Sequence, residues 1–273
     1  MVAPGAEERP YGWWKLSLAT HWTHTLELLY LLVRKDLKVR YKNRFLGYLW
    51  ALANPLAFAF VYWIAFKFIM RVEMENYSLY LICGIFPWVW MSTGIANGTR
   101  SFLVNASLIK KASLPRAVLP LSSVIQESVH FLFALPVIIA FAVFAGDLPV
   151  RAGWLWQIPM LVGLQIAFVF PIALALAVTN VYVRDIEYLV GIGFSLLFFA
   201  TPMVYPVSMV PEEYRRLFEL NPLHALMQSW RSAVLQGSVE PAYLAQVAGF
   251  AVVAGLIAWA LYRRLSPRIG ELL

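Results

Sequence analysis

The sequence predicts an all-α membrane protein. It has six transmembrane helices, an N-terminal amphipathic helix lying along the membrane interface, and two short re-entrant helices before the last span. Three observations carry this class. Of 273 residues, 61% are apolar and only 14% are charged, whereas roughly a quarter of residues are charged in ordinary soluble domains. The apolar residues fall into runs of the length a helix needs to cross hydrocarbon, about 20 residues. The 22 Lys and Arg residues, against 15 Asp and Glu, are concentrated on one side of those runs. The same composition excludes a soluble cytosolic enzyme, which needs far more polar surface. It also excludes a disordered chain, which needs low hydrophobicity and dense charge.

Residues 1–25 form an N-terminal segment with Glu7, Glu8, Arg9 and Lys15 and no apolar core of the secretory-signal kind, so they are expected to be retained. Residues 26–45 read LELLYLLVRKDLKVRYKNRF. Leu29, Val33, Leu37, Tyr41 and Phe45 recur every four residues, and Arg34, Lys38 and Lys42 do so on another face. This is the pattern of a helix lying in the interface with its basic side toward anionic headgroups. Asp36, Arg40 and Arg44 form a third stripe beside the apolar arc. Two readings of it stand: Asp36 pairs with Arg40 at i+4, or the arginines grip a phosphate at the interface, which suits guanidinium geometry.

The transmembrane region, 46–263, holds spans expected at 46–69, 77–99, 117–146, 154–182, 188–205 and 241–262. With the N-terminus inside, sixteen of the 22 cations fall on the inner side, and six (Lys67, Arg71, Arg151, Arg215, Arg216 and Arg231) outside or at the outer interface. That excess sets the orientation by the positive-inside rule and returns the tail, 264–273, to the inner side. Between the last two spans, 206–236 contains PEEYRRLFELNPLHALMQSWRSAVLQG. Pro211 before Glu212 and Glu213, then Asn221 before Pro222, are helix-start signals. They predict helices at about 211–219 and 222–236. Both are too short to span, and both need shelter by protein where their ends would meet lipid.

Cys83 is the single cysteine, so an intrachain disulfide and a cysteine-based metal site are excluded; in its apolar run it reads as a small buried hydrophobe. Glu127 and His130 lie three apart in the third span and read as a mutually satisfied buried pair. A di-iron bundle would need a second such motif and two more glutamates. No P-loop, nucleophile elbow or His-Glu-x-x-His motif occurs, and none of the seven lysines follows a glycine. No catalytic residue and no metal site is expected. Ion-gradient coupling has only Glu127 as a mid-span carboxylate.

Residues 34–50, RKDLKVRYKNRFLGYLW, followed by Asn54, Pro55 and Leu56, resemble the opening signature of ABC-2 type permeases, in particular the transmembrane subunits of bacterial O-antigen, teichoic acid and capsule exporters. Further resemblance follows in order: NASLIKK at 105–111, Leu114-Pro115-Arg116, Leu119-Pro120-Leu121, VRDI at 183–186, TPMVYP at 201–206 and LNPL at 220–223. Arg44 departs from the pattern, where these permeases usually carry a small serine.

The resemblance implies a half-transporter in the inner membrane, with both termini cytoplasmic. It implies a homodimer with a separate ATPase docked under each copy, so that ATP and Mg are bound by the partner and no cofactor by this chain. Nucleic acid is not a partner. The segment 101–116 becomes the coupling element, with Asn105, Leu108, Ile109, Lys110 and Lys111 against the ATPase. The implied substrate is a polysaccharide on polyprenyl pyrophosphate, its pyrophosphate meeting Arg40, Lys42 and Arg44. Its sugar chain would pass aromatic surfaces, for which Tyr62, Trp63, Phe66, Trp88, Trp90, Phe198, Phe199 and Tyr205 are candidates. Each of these also fits an ordinary interfacial aromatic belt. A drug or lipid is the alternative cargo. A membrane-embedded enzyme acting on polyprenyl-phosphate lipids is the rival from another class; it would need a carboxylate cluster, and Asp36, Asp185 and Glu187 lie in different segments.

Overall fold

A computed structural model describes residues 18–41, 49–71, 74–111, 114–144 and 148–273, and among them it contains helices and no strand. The α-helices run in order α1 Leu18–Tyr41, α2 Leu49–Trp63, α3 Tyr77–Val104, α4 Ala106–Lys111, α5 Val118–Phe144, α6 Trp154–Tyr182, α7 Ile186–Ala200, α8 Glu212–Glu219, α9 Pro222–Arg231, α10 Pro241–Leu265 and α11 Ile269–Leu272. One-turn π-helical stretches extend α2 through Ile64–Ile69 and α9 through Ser232–Gln236. Among the described residues, five helices are long and apolar enough to cross a membrane: α2 with its extension, α3, α5, α6 and α10. The chain is a multi-pass membrane protein.

Helix α3 is the hub. Most of it is buried, and it packs against α2, α5, α6 and α9. Its Gly94 and Gly98, one turn apart, let α6 approach closely. A Cβ at Gly98 would stand 2.7 Å from the Cβ of Ala173, and one at Gly94 would stand 3.5 Å from a Val169 methyl. Where lipid is as apolar as the protein, small residues at such a crossing supply the contact that holds helices together. Gln165 of α6 adds a polar tie: its Nε2 donates to the Pro87 carbonyl at 2.9 Å, and its Oε1 accepts from Trp230 Nε1 at 2.6 Å. Cys83 is buried in this core, as its apolar run predicts. By contrast α2, α7 and α10 bury few of their apolar side chains, as helices facing lipid or another subunit do.

The fifth expected span, 188–205, departs from expectation. Helix α7 stops at Ala200 after 15 residues, about 22 Å at 1.5 Å per residue. Thr201 takes an extended conformation, φ −109° and ψ 135°, because the residue before a proline is driven out of the helical region. The following turn is buried, and side chains satisfy its carbonyls one after another. Arg231 Nη1 donates to Pro202 O at 2.8 Å and Nη2 to Met203 O at 2.7 Å. Tyr77 Oη donates to Val204 O at 2.5 Å and Tyr80 Oη to Tyr205 O at 3.0 Å. Non-helical backbone at membrane depth is tolerated only with such internal partners.

Helices α8 and α9 follow at the positions their start signals predict. Asn221 Oδ1 accepts from the backbone N–H of Leu223 at 2.9 Å and caps α9, with Pro222 in its first turn. Helix α8 is exposed, whereas α9 is driven into the core with Leu223, Leu226, Met227, Trp230 and Arg231 all buried. Arg231, counted in the sequence among the outer cations, is therefore an interior group.

Helix α1 begins eight residues before the expected start at 26. It lies on α5, with Leu32 and Val33 buried and Arg34 and Lys38 exposed. The remainder of the expected helix, including Lys42, Arg44 and Phe45, lies outside the described residues.

Candidate functional site

Three helices converge on one buried carboxylate. Glu127 and His130, three residues apart on α5, face the same way, and Asn97 meets them from α3. Arg40 reaches them from the last turn of α1. Arg40 Nη1 lies 2.5 Å from Glu127 Oε1, which also accepts from Asn97 Nδ2 at 2.9 Å. His130 Nδ1 lies 3.0 Å from Oε2 and 3.3 Å from Arg40 Nη1. The Glu127 side chain is 5% exposed and that of Arg40 39%, so the arginine bridges a wetter space and a drier one.

Of the two readings of the third stripe on α1, the pairing of Asp36 with Arg40 does not hold. Asp36 pairs with its neighbour Lys35 at 3.4 Å, not with Arg40. A buried carboxylate without a cation costs far more than an exposed one, so the guanidinium goes to Glu127. The Glu127–His130 pair is present as expected, with Arg40 and Asn97 as additional members.

Two cavities adjoin this cluster and share Arg40. One of about 410 Å³ is lined by Lys35, Asp36, Arg40, Asn97, Arg100, Asn105 and Gln126. A smaller one of about 100 Å³ is lined by Arg40, Asn54, Thr93, Trp90, Glu127 and His130. Asn54, Val89 and Thr93 line that small cavity and also a groove of about 350 Å³. Aromatic rings wall the groove: Phe58, Tyr62, Trp88, Phe194, Phe198 and Phe199. The sequence of surfaces is thus basic and polar, then a charged constriction at Arg40 and Glu127, then aromatic.

Of the eight aromatic candidates, Tyr62, Trp88, Phe198 and Phe199 come together in this groove. Phe198 is their centre, 5.4 Å from the Tyr62 ring, 5.5 Å from Trp88 and 5.4 Å from Phe199. Tyr205 adjoins them through its hydroxyl, which donates to the Phe199 carbonyl at 2.7 Å. Trp63 faces a different cavity, with Phe60 and Phe141, and Phe66 packs half-buried against the core. Trp90 is 2% exposed and stacks on Phe131 at 5.0 Å, with Trp230 edge-on at 6.5 Å. Phe58, Phe194, Asn97 and Thr93 were not singled out in the sequence, and Asn54 only as part of the opening signature. Phe194 stands four residues before Phe198 in α7, which helical spacing alone suffices to find.

The segment expected to meet the ATPase, 101–116, contains the end of α3 and the short helix α4. Asn105 closes α3, its Nδ2 donating to the Ser101 carbonyl at 2.9 Å. Ile109 is buried and Leu108 partly so, in a cluster with Leu32, Phe102, Val118, Val181 and Ile269, while Lys110 and Lys111 project outward. The C-terminal residues, expected to be a simple tail, hook beneath this end of the bundle. Ile269 is fully buried, Arg116 Nη1 donates to the Ser266 carbonyl, and Tyr182 Oη donates to the Leu265 carbonyl at 2.8 Å. Among the described residues, no group of three or more His, Cys, Asp or Glu is placed to hold a metal ion.

The chain is similar over most of its length to named transport proteins. It is 40% identical over 252 residues to the O-antigen export system permease protein RfbA of Klebsiella pneumoniae, covering 92% of this chain and 96% of that one. It is 32% identical over 238 residues to the RfbA permease of Myxococcus xanthus, covering 85% and 89%. At 25% identity over 247 residues it also matches the polysialic acid transport protein KpsM of Escherichia coli, covering 88% and 92%. The family signature of ABC-2 type transporters matches residues 27–235, which contain every residue of the charged cluster and the aromatic groove. The chain belongs to the ABC-2 type transporter family.

Proposed function

We propose that this protein is the permease subunit of an ATP-driven exporter. Its cargo is a polysaccharide of the O-antigen class carried on polyprenyl pyrophosphate, moved from the cytoplasm across the bacterial inner membrane. Two copies form the channel, and each binds an ATPase subunit that carries the ATP and Mg. The observation that most supports this reading is the succession of surfaces from a basic cavity, past Arg40, to an aromatic groove. Guanidinium matches phosphate by geometry and charge, and flat aromatic rings match the CH faces of pyranose sugars. The export permeases that share 40% and 32% identity with the chain point to the same cargo class.

In this reading the α1 end of the bundle is cytoplasmic, as the excess of Lys and Arg there requires. Helix α1 lies along the inner interface, and Lys42 and Arg44 join Arg40 at the pyrophosphate. Helix α7 with the buried Thr201–Tyr205 turn makes the fifth of six crossings, and α8 and α9 form the re-entrant pair at the outer mouth. ATP binding draws the ATPases together, and α4 passes the movement into the bundle through Ile109 and the C-terminal hook. Tyr62, Trp88, Phe198 and Phe199 then flank the sugar chain as it moves outward, while the polyprenyl tail stays in lipid.

The test is reconstitution. The permease co-purified with its ATPase, in vesicles loaded with a defined polyprenyl-pyrophosphate-linked glycan, should show ATP-dependent transfer of the glycan across the bilayer. ATP hydrolysis with no glycan transfer, under conditions where a drug or a plain phospholipid is moved, would overturn the assignment of cargo.

A further inference from the structure

The cations around the 410 Å³ cavity are not available as they stand. Lys35 Nζ is 3.4 Å from Asp36, Arg40 Nη1 is 2.5 Å from Glu127, and Arg100 Nε is 3.3 Å from Glu187. Each cation on this wall is held by a carboxylate of the chain itself. The three pairs differ in depth: Asp36 and Glu187 are 32% and 25% exposed on their side chains, while Glu127 is 5% exposed. Water screens the first two pairs far more than the third. Glu127 is also the sole acidic residue within α2, α3, α5, α6 and α10. It is held from three helices at once, by Arg40, Asn97 and His130.

We propose that the cavity between α1, α3 and α5 is a phosphate-ester site that the protein keeps closed by itself, with Glu127 standing in for the phosphate at Arg40. This rests on the assignment of Arg40 to the substrate phosphate made above, and adds a competitor to it. A phosphate that enters the basic cavity offers Arg40 two or three acceptor oxygens in a wetter place than the carboxylate. The guanidinium, already 39% exposed, turns outward to the phosphate beside Lys35 and Arg100. Glu127 keeps Asn97 and His130 as partners, so it is not stranded without donors. The exchange removes the ion pair that ties α1 to α5 and takes away the side chain that separates the basic cavity from the smaller one. Arrival of the cargo's charged end thereby opens the way that its sugar chain follows.

An internal competitor lowers apparent affinity by the fraction of molecules in which the competent group is free. Removing the charge of Glu127 should therefore tighten phosphate binding, which an ordinary structural carboxylate would not do. The experiment uses the permease–ATPase complex in nanodiscs and measures binding of undecaprenyl diphosphate, with phosphatidylglycerol as the second probe. Glu127→Gln should bind undecaprenyl diphosphate about tenfold more tightly than the unmodified protein, the size of effect that one ion pair's competition gives. Arg40→Gln should bind about tenfold more weakly, and the double variant should match Arg40→Gln because Glu127 acts only through Arg40.

Weaker binding by Arg40→Gln with no tightening in Glu127→Gln would overturn the stand-in while leaving the phosphate contact intact. Unchanged binding in Arg40→Gln would instead overturn the contact itself. Equal tightening toward phosphatidylglycerol would overturn the cargo as the source of the phosphate and assign the site to headgroups. If Glu127→Gln does not fold, spin labels at Leu37 and Val129, which line one cavity between α1 and α5, give the same answer in the native charge background. Their separation should lengthen when undecaprenyl diphosphate is added, and an unchanged distance would sink the proposal.

Discussion

The guanidinium of Arg231 lies 3.7 Å from the centre of the Tyr80 ring while its nitrogens donate to the carbonyls of Pro202 and Met203. One buried side chain thus joins α3, α9 and the turn that ends α7. Arg231→Met keeps the volume and removes every donor. It leaves the buried Met203 carbonyl without its donor, at about 1–3 kcal/mol, and the Pro202 carbonyl with only the Tyr80 hydroxyl at 3.2 Å. Thermal unfolding in detergent should show that loss. Arg231→Lys should recover only part of it, since one ammonium does not reproduce a planar fork of donors.

Close approach of α3 to α6 depends on the missing side chain at Gly98. Gly98→Val places a branched group where even a Cβ stands 2.7 Å from Ala173, and overpacking of this kind costs about 1–3 kcal/mol. The companion change Ala173→Gly should recover part of the stability in the double variant. Equal stability of Gly98→Val and the native protein would contradict the close crossing.

Trp88 and Trp90 should behave as different kinds of residue. Trp88 lines the groove beside Phe198, whereas Trp90 is packed between Phe131 and Trp230. Trp90→Ala should destabilise the fold by about 3–5 kcal/mol, as large-to-small changes in a core do. Trp88→Ala and Phe198→Ala should slow glycan export more than they lower the unfolding temperature.

The C-terminal hook should hold α4 in place. Ile269 is fully buried against α4 and α6, so Ile269→Ala should loosen α4 and the hook itself. Hydrogen exchange should rise in 106–111 and 266–273 while α3 and α6 keep their protection. In the reconstituted complex the same variant should hydrolyse ATP with less glycan moved per ATP.

Much of the fold was legible because lipid imposes long apolar runs, and Asn221–Pro222 marks a helix start by backbone chemistry alone. The end of α7 at Ala200 was missed: Thr201 before Pro202 marks it, but hydropathy carries on across the break and hides it. Glu127 and His130 show their relation as an i, i+3 spacing. Arg40, 87 residues from Glu127, shows no such relation, because only the packing of α1 on α5 creates it. Hydropathy also gives Trp88 and Trp90 the same value. Two positions on a helix turn a side chain by about 200°, and that rotation separates a groove wall from a core.

Export by Arg40→Ala tests the proposed path most directly. With the variant permease assembled with its ATPase in vesicles, and its thermal stability checked, transfer of a polyprenyl-pyrophosphate-linked glycan should fall at least about tenfold, the loss of one charge-assisted phosphate contact. Transfer at the native rate by a folded Arg40→Ala complex would contradict a path that runs past Arg40.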